Sequence, residues 1–570
     1  MMSRPLVIAI IAFLAALALR VANAPMAFAG GAPQISPVDE LYHWKRMAFS
    51  ASHVPQVLEF DPDRAAFCPW PPLYDLTAGA AARILGARDA EAVLRRIVWF
   101  PPLLGAAFVG IAAFFVTRHF GPLAGTTLAL ALAASPLLVT QSSIGDIDHH
   151  FLEGPLTFAI VGACAAQTRV SVPHVLLLAA AILAALFVQT ALIIAAGLAF
   201  VALLAFTDGR AGSIAFAIAA VVVALYRLTR PAGYPGGPWF LGWTHVALLA
   251  GAAIALRKRP IWIACGVGVA LLSLPSLLDG ARFFTGDPWL RTIVEFQPIW
   301  KARDGDLLSL LVGLGAGALF VWPLAIDAWR RRDAARGTIA LFAIIYLLLT
   351  LSSRRFWSVG IPLLALAGAV YVAQALLPVP AQTRVSVPHA IALAAVALVP
   401  PIQFALWMQY PRPPVDAYEK QWIAAARFLR GQPTGGRVLA PWWLGHTLDV
   451  IGKRSVVMDN FGSMPDPIRF ERASEALLSR DETRLADYCA ANGVKFVVLT
   501  NPLLGTRDAA AVLGLKTNPG RATWWWRTYF SRRAQRFRLA YHDWRPEWQG
   551  AWMAHAPAIE IWEFDVRRDR

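Results

Sequence analysis

Four short polar segments interrupt a chain that is otherwise apolar. The first runs Ser36-Pro37-Val38-Asp39-Glu40-Leu41-Tyr42-His43-Trp44-Lys45-Arg46. The second, 145–153, carries Asp146, Asp148, His149, His150 and Glu153. The third is Arg291-Thr292-Ile293-Val294-Glu295-Phe296-Gln297, and the fourth is Ser353-Arg354-Arg355-Phe356. Asp39, Asp148 and His150 are oxygen and imidazole donors suited to Mg²⁺ or Mn²⁺. Asp148 and His150 are two residues apart, so in an extended loop both project to one side. Asp146 and Glu40 are substitutes for these ligands, or groups just outside them. A cation held this way calls for a polyanion, and Arg354 with Arg355 would neutralise a diphosphate from the other side. Metal and arginine together would stabilise a departing diphosphate. Glu295 is then available to hold or deprotonate an acceptor. Each piece has a plainer reading: solvated loop acids, arginines anchored on lipid headgroups, and Glu153 as a helix cap. Four such clusters on one face are hard to explain as idle.

The elements that must position these residues are membrane helices. Of 570 residues, 57% are hydrophobic and only 15% charged, against roughly 25% charged in a soluble domain. That excludes an ordinary soluble enzyme and a disordered chain. A span needs about 20 apolar residues. About thirteen candidates lie near 5–23, 97–116, 121–141, 152–166, 174–189, 191–206, 212–226, 239–256, 261–278, 307–328, 338–352, 358–377 and 389–408. Ala22-Asn23-Ala24 imitates a cleavage site, but Pro25 follows, so the first run is expected to stay as a helix.

The dense basic clusters Arg257-Lys258-Arg259 and Arg330-Arg331-Arg332 mark inner loops. With the N-terminus inside, all four polar clusters and the tail fall outside the cytoplasm. The expected organisation is a transmembrane catalytic domain, 1–409, with outer loops 24–96 and 279–306, followed by an extracytoplasmic α/β domain, 410–570. The expected location is the cytoplasmic (inner) membrane. A diphosphate on the outer side, with no Walker A loop in the chain, suggests a polyprenyl-linked sugar donor.

The net charge of +16 fits loops held against anionic membrane lipids, and nucleic acid is not an expected partner. In the tail, 438–440, 455–458, 495–499 and 559–565 read as strands and 483–492 as a helix. Trp524-Trp525-Trp526-Arg527, with Arg532, Arg533, Arg536 and Arg538, is expected to meet lipid headgroups or an anionic glycolipid, with a plain basic helix as the alternative. Cys68 and Cys489 both fall outside and in principle could pair. Residues 166–174 recur identically at 381–389, in two loops placed inside. A coupled transporter would need acids at the bilayer midplane in matching halves, and this chain has neither.

These residues resemble the catalytic subunit of oligosaccharyltransferase, especially the single-subunit bacterial and archaeal enzymes, which are GT-C membrane glycosyltransferases. The run Asp39-x-x-Tyr42-His43 resembles the family's first acidic motif. Asp148-His149-His150 resembles its second motif in archaeal form. Thr292-Ile293-Val294-Glu295 matches the TIxE motif, and Arg355-Phe356 resembles the diphosphate-binding arginine. Ala440-Pro441-Trp442-Trp443-Leu444-Gly445-His446, followed by 452–460, resembles the WWD region.

The resemblance implies an inverting transfer of a glycan from a polyprenyl diphosphate to a protein asparagine. It makes Asp39, Asp148 and His150 metal ligands, with Asp39 and Glu295 contacting the acceptor. Trp442, Trp443 and His446 are the acceptor-side candidates. One departure matters. Leu444 stands where the family has the aspartate that helps bind the sequon hydroxyl, and leucine accepts no hydrogen bond. A lipid, polysaccharide or other hydroxyl acceptor is therefore the alternative.

Overall fold

The computed structural model describes residues 3–166, 171–207, 209–301, 314–376, 387–408, 414–415, 417–433, 435–543 and 559–565. Most of the repeated segment, at 167–170 and 381–386, lies outside the described residues. The expected spans fall on helices, the third and ninth each broken in two (Pro122–Ala133 with Pro136–Thr140, and Pro260–Leu271 with Leu274–Gly286), while 307–313 of the tenth and 377 of the twelfth also lie outside the described residues. Among the described residues, 4 helices are long and apolar enough to cross a membrane, or up to 5 if a pair bent by 55°, Pro260–Leu271 and Leu274–Gly286, is one span. Others are shorter apolar helices such as Pro122–Ala133 and His150–Ala165. Their buried faces are rich in alanine, for example Ala195, Ala196, Ala199 and Ala202 on the helix Ile193–Phe206. Small side chains let helix backbones approach where lipid supplies no hydrophobic drive.

Arg20 shows how such a bundle holds a charge. It closes the helix Arg4–Arg20 and is 1% exposed. Its guanidinium donates to Ser142 Oγ at 2.8 Å and to the carbonyls of Ala16 at 3.1 Å and Ala133 at 3.4 Å. It thereby occupies the open carbonyl end of the helix Pro122–Ala133. Asn23 Nδ2 donates to Ile144 O at 2.8 Å. The first helix thus grips the segment that leads into Asp146 and Asp148.

The chain outside the helical bundle is built around small sheets. Strands β1 (Phe60–Asp61) and β2 (Ala66–Phe67) form a two-stranded antiparallel pair in the loop between the first two expected spans. In the tail, β3 (Arg437–Leu439), β4 (Val494–Thr500), β5 (Phe537–Asp543) and β6 (Ile559–Phe564) make one sheet in the order β3-β4-β6-β5. Residues 455–458 supply only an isolated bridge, Val438 to Val456. The strand β5 falls in the stretch read as basic surface. Trp524 and Trp525 are buried in the core of this sheet rather than turned to lipid, and Trp525 Nε1 donates to Thr500 O at 3.0 Å. A run of three tryptophans on one helix turn cannot all face one way, and two of them fill the core. Cys68 and Cys489 are buried, free, and lie in different apolar clusters, so they do not pair.

The loop before the tenth expected span is tied to this sheet domain. Trp289 and Leu290 are buried in the same apolar cluster as Trp525 and Trp562. Gly462 makes that possible. Its φ is +59°, and a Cβ there would collide with the Trp289 indole. Gly462→Ala combines left-handed backbone strain of roughly 1–2 kcal/mol with overpacking of about 1–3 kcal/mol. The expected result is a lower unfolding temperature of the purified protein, and faster tryptic cleavage within 279–301 than in wild type. An unchanged melting curve and digest would contradict this packing.

Candidate active site

Asp39 and Glu40 open the helix Asp39–Ser52, where the helix dipole favours acids. Asp146 and Asp148 follow Gly145, whose φ is +98° and whose Cα faces the Gln34 carbonyl. That positive-φ turn brings the second polar segment back against the first loop. His150 begins the helix His150–Ala165. Asp148 Oδ2 lies 3.2 Å from His150 Nε2. Its Oδ1 lies 2.8 Å from His149 Nδ1 and 3.2 Å from His43 Nε2. His43 stacks on Trp70 at 4.1 Å and donates from Nδ1 to Asp75 Oδ1 at 2.6 Å. Asp75 also pairs with Arg46. Gln189 Nε2 donates to His149 Nε2 at 2.9 Å.

Charge is unevenly matched here. Burial, and then the charges of Asp148 and Glu295, push Asp39 up to about 7. Burial, and then Asp148, does the same to Asp146, also to about 7. Glu40 is raised well above the usual carboxylate range by burial and by Asp146. Burial would raise Asp148 too, but the imidazoles of His150 and His149 hold it well below its ordinary value. Acids that repel one another's charge in this way are what a divalent cation relieves. The donor set fits such an ion: Glu40 Oε2 is buried and lacks a hydrogen-bond partner among the described residues, and His43, Asp148 and His149 bring ligand atoms within 4.8 Å of one another.

Asp39, His150, Glu153, Glu295, Arg355 and Trp442 line one cleft of about 300 Å³. Glu153, for which the sequence offers a helix cap, does more than cap. It accepts two bonds from Arg355, at 2.6 and 3.1 Å, and one from Ser358 Oγ at 2.9 Å. It also stands 3.1 Å from His150 Nδ1. Arg354 is set differently from Arg355. Its guanidinium lies 5.9 Å from the centre of the Trp357 ring, and its backbone N–H donates to Gln297 O at 3.2 Å. Ser353 Oγ donates to Glu295 O at 3.0 Å, so the third and fourth polar segments are stitched together.

No family model matches the chain, and no curated protein matches it in sequence. Solved structures do match. The archaeal oligosaccharyltransferase AglB of Archaeoglobus fulgidus, in complex with an inhibitory peptide and a dolichol-phosphate, superposes with a TM-score of 0.80 at 15% identity. That match covers 98% of this chain and 88% of the other. An Archaeoglobus fulgidus oligosaccharyltransferase tethered to an acceptor peptide with the NVT sequon gives 0.77 at 16% identity, over the same shares of each chain. The enzyme's complex with Zn and sulfate gives 0.73 at 16%, again over 98% and 88%. The fold is that of an oligosaccharyltransferase.

Within this oligosaccharyltransferase fold the tail residues divide. Trp442 lines the cleft, and its ring meets Trp289 edge-on at 5.8 Å. Trp443 packs instead against the apolar cluster of β3, β4 and β6. Leu444 is fully buried in that same cluster, so it presents nothing to a ligand. His446 is fully buried beside Asp39 rather than among the cleft walls, and burial pushes it down to about 3, which keeps the ring neutral. Asp75 and Gln189, around His43 and His149, are not singled out in the sequence analysis, and Arg46 has no role there beyond its place in the first polar segment. Asp75 carries a signal as the one acid of the helix Leu73–Ile84.

Proposed function

We propose that this chain transfers a glycan from a polyprenyl-diphosphate-linked donor to an acceptor, with protein asparagine favoured. The observation that carries this is the convergence of Asp39, His150, Glu295 and Arg355 on one cleft. Next to it, along the helix Ile193–Phe206, runs an apolar groove of about 370 Å³ lined by residues such as Ile194, Gly197, Phe200 and Gly251. A charged head and a long apolar tail suit the two compartments. The wall of the cleft includes Thr190, Ala191 and Leu192, and the wall of the groove begins at Ile193.

In this reading Asp39, Asp148 and His150, with Asp146 beside them, hold Mg²⁺ or Mn²⁺. The ion, when bound, supplies Lewis-acid stabilisation of the diphosphate leaving group. Arg355 binds the diphosphate and is aimed by Glu153. Arg354, over Trp357, adds charge behind it. Asp39 and Glu295 accept hydrogen bonds from the acceptor amide and orient its nitrogen for attack on the anomeric carbon, opposite the departing oxygen, and Glu295 takes the proton that the nitrogen loses as the C–N bond forms. The transfer inverts that carbon. The cleft opens on the extracytoplasmic side of the cytoplasmic membrane, in contact with its lipids, and no nucleic acid is involved.

Leu444 favours a second reading, with a hydroxyl on a lipid, polysaccharide or other acceptor. Apolar packing at that position removes the hydroxyl-reading carboxylate, while the TIxE match favours the amide. Purified protein with polyprenyl-diphosphate glycan, Mn²⁺, and paired Asn-x-Thr and Gln-x-Thr peptides separates them. Glycosylation of the Asn peptide alone, lost with chelator, is the expected result. Metal-dependent glycan release or transfer with neither peptide modified would select the second reading. Inactivity beside a working control enzyme would sink both.

A further inference from the structure

His446 lies on the short helix Gly445–Val450 in the C-terminal part of the chain, yet its ring faces Asp39. The side chain is fully buried, and neither Nδ1 nor Nε2 has a hydrogen-bond partner among the described residues. Its orientation is fixed on every side. Tyr42 stacks on it at 4.8 Å and 22°, and Phe461 meets it at 4.9 Å and 70°. Its backbone N–H donates to Asn460 Oδ1 at 3.3 Å. The next residue, Thr447, donates from Oγ1 to Pro37 O at 2.5 Å, two residues before Asp39. The outcome is that Nε2 stands 3.6 Å from Asp39 Oδ1. That is too long for a hydrogen bond. It is close to the spacing of two ligands on one ion: with metal–ligand bonds of about 2.1 Å, neighbouring ligand atoms stand about 3–3.5 Å apart. A buried imidazole with two idle nitrogens is costly unless something occupies one of them.

We propose that His446 is a further ligand of the divalent metal held by Asp39, contributed to that site by the C-terminal region. This rests on the metal-dependent reading above and extends it. With His150 it makes two imidazoles among carboxylates. Such a set favours Mn²⁺, Co²⁺ or Zn²⁺ over Mg²⁺, which prefers oxygen.

The test is metal binding by the full-length protein in detergent, without turnover. Mn²⁺ is titrated by EPR, and nitrogen couplings to the bound ion are counted by electron spin echo. Wild type is expected to show two coupled imidazoles. His446→Phe, which keeps the stack on Tyr42, is expected to show one. It should also weaken Mn²⁺ by more than the roughly 10–100-fold that losing an outer partner costs. Its preference for Co²⁺ over Mg²⁺ should fall as well. His446→Gln serves as the second variant should Phe not fold, with one coupled imidazole again expected. Unchanged Mn²⁺ affinity and couplings in the folded variant, with binding lost in Asp39→Asn, would overturn the role of His446 and leave the metal reading standing. Wild type that binds no Mn²⁺ would overturn both.

Discussion

Asp39→Asn is expected to lower the rate of glycan transfer by about 10³-fold or more while leaving the protein folded. The size follows from what the carboxylate is asked to do. A metal that polarises a leaving phosphate contributes several kcal/mol to the transition state, and each 1.36 kcal/mol is tenfold in rate. Asp39 lines the cleft with His150 and Glu295 and feels the charge of Asp148. Asparagine keeps its shape and removes the negative charge. The same neighbours explain why stability survives. Burial beside other acids already disfavours the ionised form of Asp39, so a neutral amide relieves repulsion instead of breaking a pair. Transfer assay, Mn²⁺ EPR and thermal unfolding on one preparation check this together. Activity within tenfold of wild type, with Mn²⁺ still bound, would remove Asp39 from the metal site.

Much of this cleft was legible in the sequence because a membrane chain makes its polar residues conspicuous. Asp39, Asp148, His150, Glu295 and Arg355 stand out against apolar runs, and loops alternating between two sides of a membrane already place them together. What surrounds them was not legible. Glu153 pairs with Arg355 across 202 positions, and His43 meets His149 across 106. No local spacing encodes a meeting of that kind. Trp289 reads as a loop residue, yet it is buried in the sheet domain because Gly462 leaves room for its ring. Trp524 and Trp525 read as an interfacial patch, since three adjacent tryptophans beside arginines carry the composition of a membrane belt. Composition does not say which rings the fold turns inward. The strands β4 and β6 were easy to find because their patterns are short and strongly apolar or alternating. β5, with Arg538 and His542 among its residues, lacks that contrast.

The pair that sequence spacing hid is also the one whose loss should hurt the fold most. Glu153 is 4% exposed, and it answers Arg355, Ser358 and His150 at once. Removing one partner of a buried ion pair leaves the other charge uncompensated, at a cost of about 3–5 kcal/mol. Glu153→Ala is therefore expected to lower the unfolding temperature markedly and to raise the KM for the lipid-linked donor, because Arg355 is no longer aimed into the cleft. Glu153→Gln keeps the shape and part of the hydrogen bonding, so its loss should be smaller. The decisive comparison is the cycle with Arg355→Ala. If each side chain exists to neutralise the other, the double variant should be less destabilised than the sum of the singles, by more than the roughly 0.3–0.5 kcal/mol scatter of independent sites. Additive losses would mean that Arg355 draws its orientation from elsewhere, and that Glu153 caps its helix and does nothing for the donor site.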